Sequence, residues 1–129
     1  MNTWCCAIAG AIFGVSYAES AEYRCVVNRK IDSERNYSDE QIQKSQFSVL
    51  VEEIQNDANL SRCSFSSAAQ KVTCDKYPVD RVVVDSTVKI KKYYVFKSQF
   101  DVQIFPDLAF VENNGRGGIA FGNCELVAP

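Results

Sequence analysis

Histidine is absent from all 129 residues of the chain. That absence removes Ser-His-Asp and Cys-His nucleophile systems, histidine zinc sites and the commonest general base together. The only tryptophan, Trp4, and the only methionine, Met1, both precede Ala18, so a chain starting at Glu19 offers no indole as a sugar-stacking platform. An excess of either charge is lacking too. Sixteen Asp and Glu stand against fourteen Lys and Arg, all of them after Ala18. Near-neutrality argues against bulk electrostatic binding to nucleic acid or to an anionic membrane. No P-loop or dinucleotide fingerprint is present.

What stands at the start is an apolar run from Trp4 to Val15, followed by Ser16-Tyr17-Ala18 with small residues where signal peptidase needs them. We expect residues 1–18 to be a secretory signal peptide, too short to span a membrane as a helix, and residues 19–129 to be a single domain, secreted or periplasmic. Met1-Asn2-Thr3 carries no Lys or Arg, so the terminal amine is the only positive charge ahead of the run. A buried N-terminal helix is the alternative; against it, Glu19 to Arg24 turns abruptly polar. Cys5 and Cys6 sit too early for lipid attachment.

Beyond Ala18 four cysteines remain: Cys25, Cys63, Cys74 and Cys124. An even number in an exported domain of this size reads as a disulfide framework, and four cysteines allow three pairings. The stretch Leu60 to Asp75 selects one of them. If it folds back so that Phe65 faces Val72, Cys63 faces Cys74 and Ser67 to Gln70 form a four-residue loop. Cys25 is then left for Cys124, joining the first strand to the last. A zinc site of four thiolates would need close C-x2-C spacing, which is missing.

Along the chain, Tyr23, Cys25 and Val27 alternate onto one face of a first strand. Lys30 to Asn36 reads as a loop. Ser38 is placed as an N-cap, with Asp39 and Glu40 in the first turn and Gln41 completing a capping box, for a helix of about two turns. Phe47 to Val51 then takes a strand pattern. Pro78 interrupts the strand leaving the Cys74 hairpin, where the sheet bends or changes partner. Arg81 to Asp85, Val88 to Phe96, Phe100 to Ile104, Leu108 to Glu112 and Ile119 to Val127 follow as strands. Asn113 to Arg116 has the Asn-Gly signal of a type I′ turn. The pattern predicts a mainly β fold: an antiparallel meander of seven or eight strands closing into a small barrel or folding as a sandwich, with one short helix and two disulfides.

Two surface features could bind something. Asn114 and Arg116, within Asn114-Gly115-Arg116-Gly117-Gly118, could form a glycine-rich anion nest or a protruding tip; the plainer reading is a tight turn with one exposed arginine. Lys89, Lys91, Tyr93 and Lys97 share one face of the Val88–Phe96 strand, expected outward, where they could meet an acidic partner or simply guard the strand against edge pairing. Asn36-Tyr37-Ser38 and Asn59-Leu60-Ser61 are glycosylation sequons that matter only in a host that glycosylates there.

In size, export and stapled β architecture the chain resembles the small periplasmic inhibitors of lysozyme, β-barrels that block an active site with a loop. The resemblance covers architecture only, and none of their inhibitory motifs is matched by residues here. With no histidine, no free thiol once the cysteines pair, and a doubly stapled scaffold, we expect a non-catalytic, monomeric binding domain with a protein partner and no cofactor or metal; an inhibitor of a secreted or cell-wall-acting enzyme is one form of this. The alternatives are a carrier of a small lipophile, with phenylalanines lining an internal cavity, and a hydrolase working through paired carboxylates.

Overall fold

The computed structural model describes residues 20–55 and 57–128; the expected signal peptide at 1–18 lies outside them. The described residues form strands β1 (Ser20–Ile31), β2 (Ser48–Ile54), β3 (Asp57–Ser66), β4 (Lys71–Pro78), β5 (Arg81–Val84), β6 (Lys91–Val95), β7 (Phe100–Ile104), β8 (Ala109–Asn113) and β9 (Ile119–Ala128), with helix α1 (Asp39–Ser45) between β1 and β2. All nine strands belong to one antiparallel sheet in the order β4-β3-β2-β1-β9-β8-β7-β6-β5, curled into a half-barrel. Nine strands stand where seven or eight were expected, and the break read at Pro78 separates two of them with different partners. Val79 still donates its N–H to Ala58 of β3, and Asp80 at once donates to Tyr94 of β6. Proline lacks the N–H that a continuing ladder needs, so the change of partner falls there.

Each hairpin is set by local chemistry. Phe65 faces Val72 and Cys63 faces Cys74 in the β3–β4 register, and the two cysteines are bonded. In the β1–β9 pair Cys25 faces Cys124, again bonded, so the first and last strands are neighbours in the middle of the sheet. A bulge between Phe121 and Gly122 bends β9 here. A Cβ on Gly122 would run into the Val26 carbonyl oxygen and lie 2.6 Å from the Phe110 ring, so only glycine admits this approach. β1 runs on through Arg29 and Lys30, which the charge pattern assigns in part to a loop. Their cations lie over aromatic rings, Arg29 5.6 Å from the centre of Phe121 and Lys30 4.5 Å from that of Phe47.

The concave side holds the core. Cys25, Val27, Val49, Val51, Leu60, Tyr93, Phe100, Val102 and Phe110 are buried there, and Tyr77 meets Phe100 edge-on at 5.0 Å. The rings fill the curl of the sheet, where the lipophile-carrier reading placed its cavity. Among the described residues no helix is long and apolar enough to cross a membrane.

Candidate functional site

α1 stands on the convex side of the sheet, against β1 and β3. Seven residues are too few to be stable as an isolated helix, so its ends and one apolar contact must hold it. Ser38 Oγ accepts the Gln41 N–H at 3.1 Å and Gln41 Oε1 accepts the Ser38 N–H at 2.8 Å, forming the capping box read from the sequence. Ile42 is the helix residue buried against the sheet. At the other end Gln46 takes a left-handed conformation (φ 50°) and its N–H returns to the Ile42 carbonyl.

A helix this short covers only part of the convex face. It leaves an open groove of about 650 Å³ with Val26, Ile42, Phe47 and Val72 as its apolar lining. Val26, in mid-strand, is 56% exposed, and Val72, near the start of β4, is 40% exposed. The rim supplies the amides of Asn28, Gln43 and Gln46, together with Asp39 and Arg24, whose guanidinium is paired with Glu125 at 3.1 Å. The volume falls in the range of ligand-binding clefts, and apolar walls with a few polar groups are their usual composition. The Cys63–Cys74 bond sits on the same convex side, one residue pair from Val72.

The lysine and tyrosine stripe does not form an outer platform. Tyr93 is fully buried and Lys91 is held inward, so the face expected to be outward is the concave one. The Lys91 ammonium lies 3.1 Å from Glu53 Oε1 and 3.2 Å from the Tyr23 hydroxyl, and the Tyr93 hydroxyl donates to Glu53 Oε2. These contacts join β6 to β1 and β2 across the interior. Burial lowers the Lys91 pKa, but the Tyr23 hydrogen bond and the Glu53 charge outweigh it and leave the ammonium pKa raised. Burial first, then the Glu53 acceptor and its charge, push the Tyr93 phenol far up, so it stays a donor. Lys89 lies in the β5–β6 turn with φ 62°, and Lys97 in the β6–β7 turn. The expected strand from Val88 therefore begins only at Lys91. Asp85 starts this turn by accepting the N–H groups of Thr87 and Val88, which hold its carboxyl below the usual carboxylate range.

The second feature is also built differently. Asn114 and Arg116 lie in a loop from Asn114 to Gly118, in which Asn114 Oδ1 accepts the Arg116 N–H at 2.7 Å and the Gly118 N–H at 2.9 Å. Positive φ occurs at Gly115 and Gly117, not at Asn114, so the turn is not type I′. Gly115 rests on the β6–β7 turn, where a Cβ would collide with the Gln99 carbonyl oxygen. The Asn114 side chain is therefore consumed by the turn, whereas the Arg116 side chain is exposed.

No protein-family model, curated protein or solved structure matches this chain. Function must therefore be argued from the geometry alone. Glu53 and Glu112, two carboxylates withdrawn from solvent, each face a cation: Lys91 for the first and Arg62 for the second. Arg62 is fixed in turn over the Phe100 ring, 4.7 Å from its centre. Among the described residues no three acidic or cysteine side chains gather as a metal site. Sequence reasoning missed Glu53, Tyr23 and the groove. The isolated Glu52-Glu53 pair inside a strand of β-branched residues was the one signal that a cation must reach β2.

Proposed function

We propose that this is an exported, non-catalytic binding domain whose binding surface is the groove between α1 and the convex face of the sheet. The observation that carries the reading is the exposure of Val26 and Val72 beside Ile42 and Phe47, in a cleft of about 650 Å³. Exposed apolar side chains gathered in a cleft are favourable to cover, and they mark binding surfaces more often than scattered ones do. The occupant is a neutral, apolar segment of a protein partner. Three rim amides supply donors and acceptors for a peptide backbone, and Arg24, already paired with Glu125 at 3.1 Å, leaves the rim no free cation to attract an anionic ligand. The two disulfides fit an oxidising compartment, supporting a secreted or periplasmic location. A secreted enzyme blocked by the domain is one partner of this kind.

The test compares capture from the native compartment by the parent protein, by Val26→Asp and Val72→Asp, and by Arg116→Ala. The reading predicts a partner retained by the parent and by Arg116→Ala but lost from both groove variants. Retention by the groove variants with loss from Arg116→Ala would move binding to the loop and overturn it. A small lipophile is the second reading of the same groove, favoured by its volume. Native mass spectrometry of the isolated protein would then show a bound small molecule, displaced in Val72→Asp.

A further inference from the structure

Among the described residues the sheet ends in two edge strands, β4 and β5, and they are not alike. β4 carries Lys71, Lys76 and Pro78, devices that discourage another strand from pairing. β5 reads Arg81-Val82-Val83-Val84, exposed throughout, with no charge between Arg81 and Asp85. Val82, Val83 and Val84 are 39%, 38% and 53% exposed. An unguarded apolar edge is a template for one more strand.

The ladder shows which groups that edge presents. Arg81 faces Tyr94 and Val83 faces Lys92 across β5–β6, and Asp85 donates its N–H to the Ile90 carbonyl at 3.0 Å. Backbone groups alternate between the two sides of a strand, so Arg81 and Val83 bond inward to β6. The N–H and C=O of Val82 and Val84 therefore point out from the sheet.

We propose that the strand completing this edge is β5 of a second copy of the chain, paired antiparallel about a two-fold axis through Val83, in place of the monomer expected from the sequence. The segment is complementary to itself in this register. Val82 of each copy faces Val84 of the other, and these are the residues whose N–H and C=O are free, so the central residues exchange four backbone hydrogen bonds. Val83 meets its own copy in the closer, non-hydrogen-bonded position. Arg81 faces Asp85 of the other copy, twice. Opposite charges directly across a pair stabilise it, whereas a shift by one residue would turn the free groups away. Asp85 is kept anionic by the N–H groups of Thr87 and Val88, which occupy its Oδ1 and leave Oδ2 for the arginine. Such an interface is isologous and closes on itself, so the product is a dimer and not a filament.

The experiment is sedimentation velocity on the purified oxidised protein, on Val83→Lys, on Val83→Glu, and on an equimolar mixture of the two variants. Far-UV circular dichroism of each variant confirms that the sheet is intact, as expected for substitutions at an exposed position. The parent should dimerise as its concentration rises. Each variant alone should be monomeric, because like charges meet on the axis. The mixture should dimerise again, as the lysine introduced in one variant meets the glutamate introduced in the other. A parent that stays monomeric at about 1 mM would mean that the edge is left bare or is covered by some other strand, and would overturn the proposal. Variants that still dimerise alone, or a mixture that stays monomeric, would place any interface elsewhere and overturn it equally.

Discussion

Glu53 accepts from both Lys91 and Tyr93, so its loss would leave a half-buried ammonium and a buried hydroxyl without their acceptor. Glu53→Ala is therefore expected to cost about 2 to 3 kcal/mol, near the top of the range for an unsatisfied buried group, read from urea unfolding midpoints. A loss below about 0.5 kcal/mol would mean that the contact is a solvated surface pair. Gly122→Ala should cost about 3 kcal/mol or more, since a methyl has no room between the Val26 carbonyl and Phe110. An unchanged midpoint would show that β9 can shift away. These residues also mark where the sequence was legible and where it was not. Alternation put Lys91 and Tyr93 together on one face of the strand, as the structure has them. It could not tell which face was inward, because both faces carry aromatic residues and the deciding carboxylate lies on β2, far from β6 in the sheet order.

At the scale of elements, the parts that depend on neighbours in sequence were readable. The β3–β4 register followed from two residue pairs, and the capping box at Ser38 follows from residue types three apart. Turn geometry was less so: Asn114 spends its side chain on the turn, which moves the positive φ from Asn114 to Gly117. The groove was invisible because it lies between α1, β1 and Val72 of β4, brought together only by the sheet. The disulfides belong to this scale as well. Cys63 and Cys74 are 11 residues apart, Cys25 and Cys124 99. Constraint of the unfolded chain grows with loop length, so replacing the first pair by alanine should cost roughly 3 kcal/mol and the second roughly 5. Equal losses in the two double variants would contradict the assignment of stability to loop closure.

For the molecule as a whole, the Glu53, Lys91, Tyr93 and Tyr23 contacts hold β6 to β1 and β2 across the curl, and they have a pH signature. Lys91 and Tyr93 both have raised pKa values in the folded chain. Below about pH 10, the ordinary range of both groups, they are protonated whether the chain is folded or not, and their stabilisation is fully present. Above it the unfolded chain releases protons that the folded chain keeps, so stability falls as pH rises. Tyr93→Phe should make this alkaline decline shallower in denaturant titrations, whereas parallel declines in parent and variant would contradict the account. The binding claim is tested most directly by hydrogen exchange on the protein alone and on the protein holding its captured partner. The account predicts added protection in α1 and in the strand segments around Val26 and Val72; protection confined to Asn114–Gly118, with the groove unchanged, would contradict it.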